Sequence, residues 1–339
     1  MNLIIPMAGR GTRLRPSTLT IPKPLFPIAN KSIIEWLVYE IIHSTNLPID
    51  EIAFIIHPDF GKETENELLQ MAAQYHTQGK IYYQKEALGT AHAILCAEES
   101  LKNNVLIAFA DTLFKANFQI DIQKEGIIWT KQVDDPKQYG IVVTDAHKKI
   151  LYFEEKPQSP VSNEAIIGIY FFKDGAYLKS ELQYLINHHI KEKGEYQLTN
   201  AMENMRKKGA VLYAQTVEKW LDCGNKDTTL YTHAAVLENN PVSSSQNIQI
   251  SNSQIVSPCY IADNVHIENS VIGPYVSIAH GSVICNAHIK NSIIMQQTKI
   301  ESMKIHNSII GRFSYLKSHS KHNTLLNVHI SDYSSIELE

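Results

Sequence analysis

The feature that most constrains the fold is a repeat in the C-terminal part of the chain. Beyond about residue 245, four Asn-Ser steps recur: NSQIV (252–256), NSVIG (269–273), NSIIM (291–295) and NSIIG (307–311), with NTLL (323–326) as a cousin. They stand 17, 22, 16 and 16 residues apart. Between them apolar residues return near every sixth position: Ile261 and Ile267, then Ile272, Ile278 and Ile284, then Ile294 and Ile300, then Ile310 and Leu316. Three such turns predict a coil of about eighteen residues, the period of a hexapeptide β-helix. One coil cannot bury its apolar row alone, so coils must stack. A β-sandwich of alternating strands explains neither the sixes nor the Asn-Ser steps. NNPVSSSQN, just before the repeat, reads as a linker, which places one domain at 1–240 and the β-helix at 245–339.

The first domain alternates strand and helix signals. NLIIPM, EIAFIIH (51–57), KIYYQ (80–84) and NVLIAFAD (104–111) read as strands. Helical spacing marks 32–46 (with Ser32 as N-cap), 61–75 and 89–101, and later stretches near 174–189 and 198–207. The βαβ series predicts a doubly wound sheet with ligands beyond the carboxyl ends of its strands. With the β-rich segments at 126–172 added, the fold class is α/β: a doubly wound mixed, Rossmann-like sheet followed by a parallel β-helix. At 339 residues, 44% of them hydrophobic, the chain has apolar material for both cores. Its net charge of −4 argues against nucleic-acid or membrane-surface partners. No apolar run approaches the roughly 18–20 residues of a membrane span. The four cysteines are dispersed without CxxC spacing, so buried thiols and a cytoplasmic protein are expected.

Against that acidic balance, the stretch GRGTRLRPSTLTIPKPL (9–25) stands out. It holds Arg10, Arg13, Arg15 and Lys23, with no carboxylate before Glu35. Two glycines let a backbone pass close to a bulky ligand, and unpaired cations suit a polyanion. Leu14 stands where a dinucleotide fingerprint needs its third glycine, and the Gly-Lys-Ser/Thr of a Walker loop is absent. By spacing alone the loop is a backbone cradle for phosphates.

The longer phrase GxGTRLxP…PKPLxPI resembles the sugar-1-phosphate nucleotidyltransferase family over roughly residues 1–235, a family in which a left-handed β-helix tail is a known companion. The resemblance implies joining of a sugar-1-phosphate to a nucleoside triphosphate with release of pyrophosphate. Catalysis would then be mainly positioning and electrostatic stabilisation. It implies that Ala8, Gly9, Gly11 and Thr12 line the triphosphate, that Arg13 holds the leaving pyrophosphate and that Lys23 neutralises the α-phosphate. Arg10 and Arg15 are left between solvent and phosphate. Asp111, in AFADT, and Asp222, in WLDCG, match the family's metal-binding aspartates, which would hold Mg²⁺ through hard oxygen ligands. A lone aspartate after a strand is otherwise a turn former or a helix cap.

EALGTAHAI (86–94) matches the nucleoside loop, with Gln84, Gly89 and Thr90 on the base side; Ala87 stands where amino-sugar uridylyltransferases often carry a second Gln. DPKQYGIV (135–142), FEEKP (153–157) and EAIIGIYFF (164–172) match the sugar side. There Gly140 would contact the sugar, Glu155 would accept from its hydroxyls and Lys156 would pair with its phosphate. Neighbours on a strand point to opposite faces, so one of Glu155 and Lys156 is expected to be solvated. Ile166 cannot hydrogen-bond an acetamido group, which favours a plain hexose such as glucose. GEYQLTNAM (194–202) matches a helix start, with Glu195 structural or sugar-side. PSTLTIPKPL, Gln84 and Ile166 bring the chain nearest to long-form glucose-1-phosphate thymidylyltransferases, with dTTP or UTP as nucleotide. The expected assembly is a homo-oligomer built on the β-helix. Two alternatives stand: a bifunctional uridylyltransferase/acetyltransferase using a histidine such as His280, and a non-catalytic regulatory or scaffold member.

Overall fold

Asn2–Pro6, Glu51–Ile56 and Val105–Ala108 are buried along their whole length, as strands covered on both faces by helices must be. The computed structural model describes residues 1–116, 118–239, 247–319 and 324–339. The linker residues 240–246 and the Asn323 of the NTLL step lie outside the described residues. The chain divides into two compact units, Met1–Gly9 with Leu37–Trp220 and Arg10–Trp36 with Leu221–Glu339.

In the first unit, Val105–Ala108, Asn2–Pro6, Glu51–Ile56 and Gln78–Tyr83 pair in parallel in that order. Glu164–Phe172 joins antiparallel beside Val105–Ala108 and leads to the hairpin of Gly140–Thr144 and Ile150–Glu155. On its other side it pairs with Gly126–Gln132, which pairs in parallel with Leu212–Thr216. The result is a nine-stranded mixed sheet. Leu178, Leu182 and Leu185 of helix Gly175–Asn187, with Leu198, Met202 and Met205 of helix Leu198–Lys207, pack into the same core as Ile4, Ile107 and Ile128. The helix expected over 89–101 is only Thr90–Leu95; residues 96–100 continue as turns.

The second unit carries the repeat as a parallel β-helix. One face stacks the six strands Gln249–Ser251, His266–Glu268, Val283–Cys285, Lys299–Glu301, Tyr315–Ser318 and Ser335–Leu338. The two long strands His288–Ile294 and Lys304–Ile310 each run across the two remaining faces. Every one of the apolar residues singled out by the sixes is buried in the central column. The coil is shorter than eighteen: Asn252 and Asn269 are 17 residues apart on one corner, Asn291 and Asn307 are 16 apart on another. The Asn-Ser steps therefore form two rows, and the 22-residue gap is a change of corner.

Each of these asparagines has φ between 42° and 49°, a left-handed conformation that asparagine tolerates and β-branched residues do not. Their amides link coil to coil: Asn252 Nδ2 donates to Asn269 Oδ1 at 2.6 Å, and Asn291 Nδ2 to Asn307 Oδ1 at 2.8 Å. The following serines staple the backbone, Ser253 Oγ accepting from Ser270 N at 2.9 Å and Ser292 Oγ from Ser308 N at 3.2 Å.

Ser32 begins helix Ile33–Ser44 as expected. Glu35 Oε2 accepts from Ser32 N at 2.7 Å while Ser32 Oγ accepts from Glu35 N at 3.3 Å, a capping box. A helix at Lys226–Asn239 was not foreseen. Of the four cysteines, all free, only Cys223 is fully buried; the others are half-buried.

Candidate active site

The carboxyl end of Asn2–Pro6 leads to Ala8 and Gly9, and the turn Phe109–Thr112 lies beside it, Ala110 N facing Pro6 O at 3.4 Å. Asp111, half-buried, is therefore carried at the carboxyl ends of the parallel strands, where open α/β sheets bind ligands. A methyl group on Gly9 would meet nothing within 4 Å, so the backbone there is open to a ligand.

The loop after Gln78–Tyr83 is clamped by the segment 195–198. Tyr196 N donates to Leu88 O at 2.8 Å, Ala91 N to Tyr196 O at 2.9 Å and Leu198 N to Thr90 Oγ1 at 2.9 Å. Gly89 has φ 111° and ψ 176°, a region open essentially to glycine alone. A methyl group there would fall 2.5 Å from Tyr196 O. Thr90 Oγ1 donates to Gln197 Oε1 at 3.2 Å, and Gln197 Nε2 to Glu195 Oε2 at 3.0 Å, which ties Glu195 to the clamp. Gln84 is 7% exposed; its Nε2 donates to Gly89 O at 3.3 Å and lies 3.1 Å from His92 Nδ1. Burial pushes the His92 imidazole down, which keeps it neutral and able to accept.

Gly140, Glu155 and Ile166, far apart in the chain, come together. A methyl group on Gly140 would meet Glu155 Oε2 at 3.1 Å, Thr199 Cγ2 at 3.1 Å and Ile166 Cδ1 at 3.3 Å. Gly140 and Glu155 are register partners across the hairpin. Thr199, quoted in the sequence but given no role, donates from Oγ1 to Glu155 Oε2 at 3.0 Å. Lys156 departs from the strand alternation expected of it. Its φ of 47° ends the strand, and its Nζ returns to 3.7 Å from Glu155 Oε1. Lys193 Nζ donates to Lys156 O at 2.7 Å and brings a further cation. Burial pushes the Glu155 carboxyl up; Thr199 and Lys156 pull it partly back, and Glu192 adds to the rise.

In the second unit, Gly11 (φ 60°) precedes a short 3₁₀ turn at Thr12–Leu14. A methyl group on Gly11 would fall 2.6 Å from Lys23 Cβ, so this glycine makes room for the Lys23 stem, and Lys23 is 6% exposed. Leu14 is fully buried, whereas Thr12, Arg10, Arg13 and Arg15 are exposed. Asp222 ends strand Lys219–Asp222, and a methyl group on Gly224 would fall 2.7 Å from its Oδ2. Thr232 Oγ1 donates to Asp222 O at 2.8 Å, and Asn225 Oδ1 caps the next helix, accepting from Asp227 N at 3.0 Å and Thr228 N at 3.1 Å. Asp111 in the first unit and Asp222 in the second each carry a carboxylate, the hard oxygen donor that a divalent cation such as Mg²⁺ takes. A separate group, His266, Glu268 and Cys285, has its ligand atoms within 4.8 Å of one another on one face of the β-helix. His280 is exposed at a turn.

A family model described as Nucleotidyl transferase matches residues 3–239. The chain belongs to that family. It is 28% identical over 331 residues to the Bifunctional protein GlmU of Methanocaldococcus jannaschii, covering 92% of this chain and 78% of that protein. It is 26% identical over 339 residues to the Glucose-1-phosphate thymidylyltransferase of Streptomyces antibioticus, covering 92% of both. Among solved structures, a UDP-glucose pyrophosphorylase complexed with UDP-glucose superposes with a TM-score of 0.58 at 22% identity, over 70% of this chain and 99% of that one. A putative glucose-1-phosphate thymidylyltransferase from Bacillus anthracis gives 0.59 at 23% identity, over 71% and 97%. These likenesses establish a nucleotidyltransferase fold and, with the family match, an enzyme of that class. Among the described residues, no helix is long and apolar enough to cross a membrane.

Proposed function

We propose that the chain joins glucose-1-phosphate to dTTP or UTP, giving nucleoside-diphosphate glucose and pyrophosphate. A phosphate oxygen of the sugar-1-phosphate attacks the α-phosphorus in line and forms the new P–O bond. The bond from the α-phosphorus to its bridging oxygen breaks, and pyrophosphate leaves with the electron pair. The observation that carries this reading is the convergence of Gly140, Glu155, Ile166 and Thr199, with Lys156 beside the carboxylate. A glycine that leaves room between an acceptor carboxylate and an apolar wall suits a hexose with free hydroxyls, and Lys156 suits its phosphate.

Gln84 and Gly89 supply the base side of the first unit, and Ala8 with Gly9 the phosphate side. Arg13 and Lys23 meet the triphosphate from the glycine loop. Asp111 and Asp222 hold a divalent cation, Mg²⁺, which when bound neutralises the polyphosphate. The catalytic region spans 1–240, and the β-helix at 245–339 assembles the chain into a cytoplasmic homo-oligomer.

The test is pyrophosphate release with Mg²⁺ and glucose-1-phosphate, offering dTTP, UTP, ATP, GTP and CTP one at a time. Fast release with dTTP or UTP is expected. Silence with all five, and again with N-acetylglucosamine-1-phosphate and mannose-1-phosphate, refutes the reading.

A further inference from the structure

One coil of the β-helix contacts both charged segments of the second unit. Ser17 Oγ lies 2.9 Å from His329 Nε2, and Thr20 Oγ1 donates to Asp332 Oδ2 at 2.8 Å. Lys226, which opens the helix after the Asp222–Asn225 turn, donates through Nζ to Asn327 Oδ1. All three partner residues, Asn327, His329 and Asp332, fall within one coil of the β-helix.

These anchors are themselves fixed. Asp332 Oδ1 accepts from Arg312 N at 2.7 Å and its Oδ2 from Arg312 Nε at 2.7 Å. His329 pairs with Ile309 in the parallel ladder, and burial together with Lys226 pushes its imidazole down, so it meets Ser17 uncharged. On the loop side, Ser17 is 3% exposed, and its neighbour Thr18 donates from Oγ1 to Gly11 O at 2.7 Å. The tether is thus one residue from the glycine turn that seats Lys23. The coil bearing the anchors also breaks the period, since Arg312 and Asp332 are 20 residues apart where Asn291 and Asn307 are 16 apart.

A loop needs such support for two reasons. Its helical turns are 3₁₀ pieces of three residues, which have little stability of their own. Its three exposed arginines repel one another, and holding them in place before a ligand arrives costs conformational entropy that a rigid neighbour can offset.

We propose that the last coil of the β-helix is a positioning frame for the reaction, with Asn327, His329 and Asp332 holding the Arg13–Lys23 loop and the Asp222 segment in their triphosphate-binding geometry. The ligand named here rests on the functional reading above; the contacts do not. The β-helix thereby acts on substrate binding and not on assembly alone.

The test uses the full-length chain with Ser17→Ala, Thr20→Val, His329→Ala and the double variant Ser17→Ala/His329→Ala. Two quantities are read: amide hydrogen exchange over residues 10–22, and dTTP affinity in the presence of Mg²⁺. Each single change should speed exchange there and weaken dTTP binding about 3- to 10-fold, the range of one ordinary hydrogen bond. The double variant should be no worse than the weaker of its two singles, because both remove the same contact. In active protein, KM for glucose-1-phosphate should stay unchanged while KM for the triphosphate rises. Unchanged exchange, strictly additive singles, or an equal rise of both KM values overturns the proposal. Exchange and dTTP affinity are read without turnover. An inactive wild type therefore sinks the functional reading alone, while faster exchange with weaker dTTP binding still supports the frame and any other result overturns it.

Discussion

Two glycines of the candidate site should answer the same substitution in opposite ways. At Gly89, alanine would bring a methyl group to 2.5 Å from Tyr196 O and 2.7 Å from Tyr196 N, both backbone atoms that cannot rotate away. The residue must also keep φ 111° and ψ 176°, a conformation costing a non-glycine residue about 1–3 kcal/mol. If the two segments of the clamp separate to relieve the clash, the bonds Tyr196 N to Leu88 O and Ala91 N to Tyr196 O are lost, at about 0.5–1.5 kcal/mol each. Together, Gly89→Ala should cost about 2–6 kcal/mol and displace Gln84, whose Nε2 donates to Gly89 O. At Gly9, by contrast, the methyl group meets nothing within 4 Å. Gly9→Ala should hold stability within about 0.5 kcal/mol, as an uncrowded surface change does, and still raise KM for the triphosphate where ligand backbone contact is needed. Urea denaturation followed by circular dichroism gives the first quantity and initial rates of pyrophosphate release the second. A Gly89→Ala protein as stable as wild type, with unchanged KM, would refute the clamp. A Gly9→Ala protein with unchanged KM would remove the backbone cradle from the binding loop.

Three further outcomes follow from the same geometry. Thr199→Val removes the hydrogen bond that holds the Glu155 carboxylate, so KM for the sugar-1-phosphate should rise about 10-fold, as for a lost bond to a charged acceptor. Since that bond opposes the rise already imposed by burial, the acid limb of the pH–rate profile should move to higher pH, and Thr199→Ser should restore it. His233 is fully buried with neither ring nitrogen hydrogen-bonded, and burial pushes its imidazole down to about 3. The unfolded chain then binds the proton first as pH falls, so stability present above about 6.5 should decline steadily toward pH 3. His233→Leu should flatten that slope in denaturant midpoints without destabilising the protein at neutral pH; an unchanged slope would clear His233 of the effect. Asp222→Asn should lower turnover about 10²-fold or more at saturating Mg²⁺, comparable to losing a key electrostatic stabiliser, and near-normal turnover would exclude it as a metal ligand.

What the sequence revealed depended on whether a residue's partners were periodic. The isoleucines at steps of six announced the β-helix because every coil repeats the same burial, and all of them line its core. Three turns of six predict a coil of about eighteen, longer than the 16 and 17 residues that separate stacked asparagines. Asn252 with Asn269 and Asn291 with Asn307 occupy different corners, so the spacing mixes a period with an offset. The helix Lys226–Asn239 gave little signal because its buried residues include Thr229, Thr232 and His233 alongside Leu230 and Val236. Polarity there follows the surroundings and not an apolar stripe.

The site itself was legible as residues and much less so as geometry. Gly140, Glu155 and Ile166 were assigned to one ligand and do converge, but Thr199, which fixes the carboxylate between them, had nothing local to mark it. Lys156 shows why. Read as a strand residue it should face away from Glu155, yet its φ of 47° turns it back to 3.7 Å from that carboxylate. A lysine gains nothing intrinsic from a left-handed backbone, so the conformation has to be held by its surroundings. Here Lys156 N donates to Tyr139 O at 3.0 Å, and Lys193 Nζ takes the Lys156 carbonyl at 2.7 Å. Both partners come from other segments, one beside Gly140 and one just before the 195–198 clamp. The strain at Lys156 is therefore maintained by the segment that carries Gly140 and by the segment that leads into the 195–198 clamp, and a departure from local preference held by two distant segments is what a functional site would require.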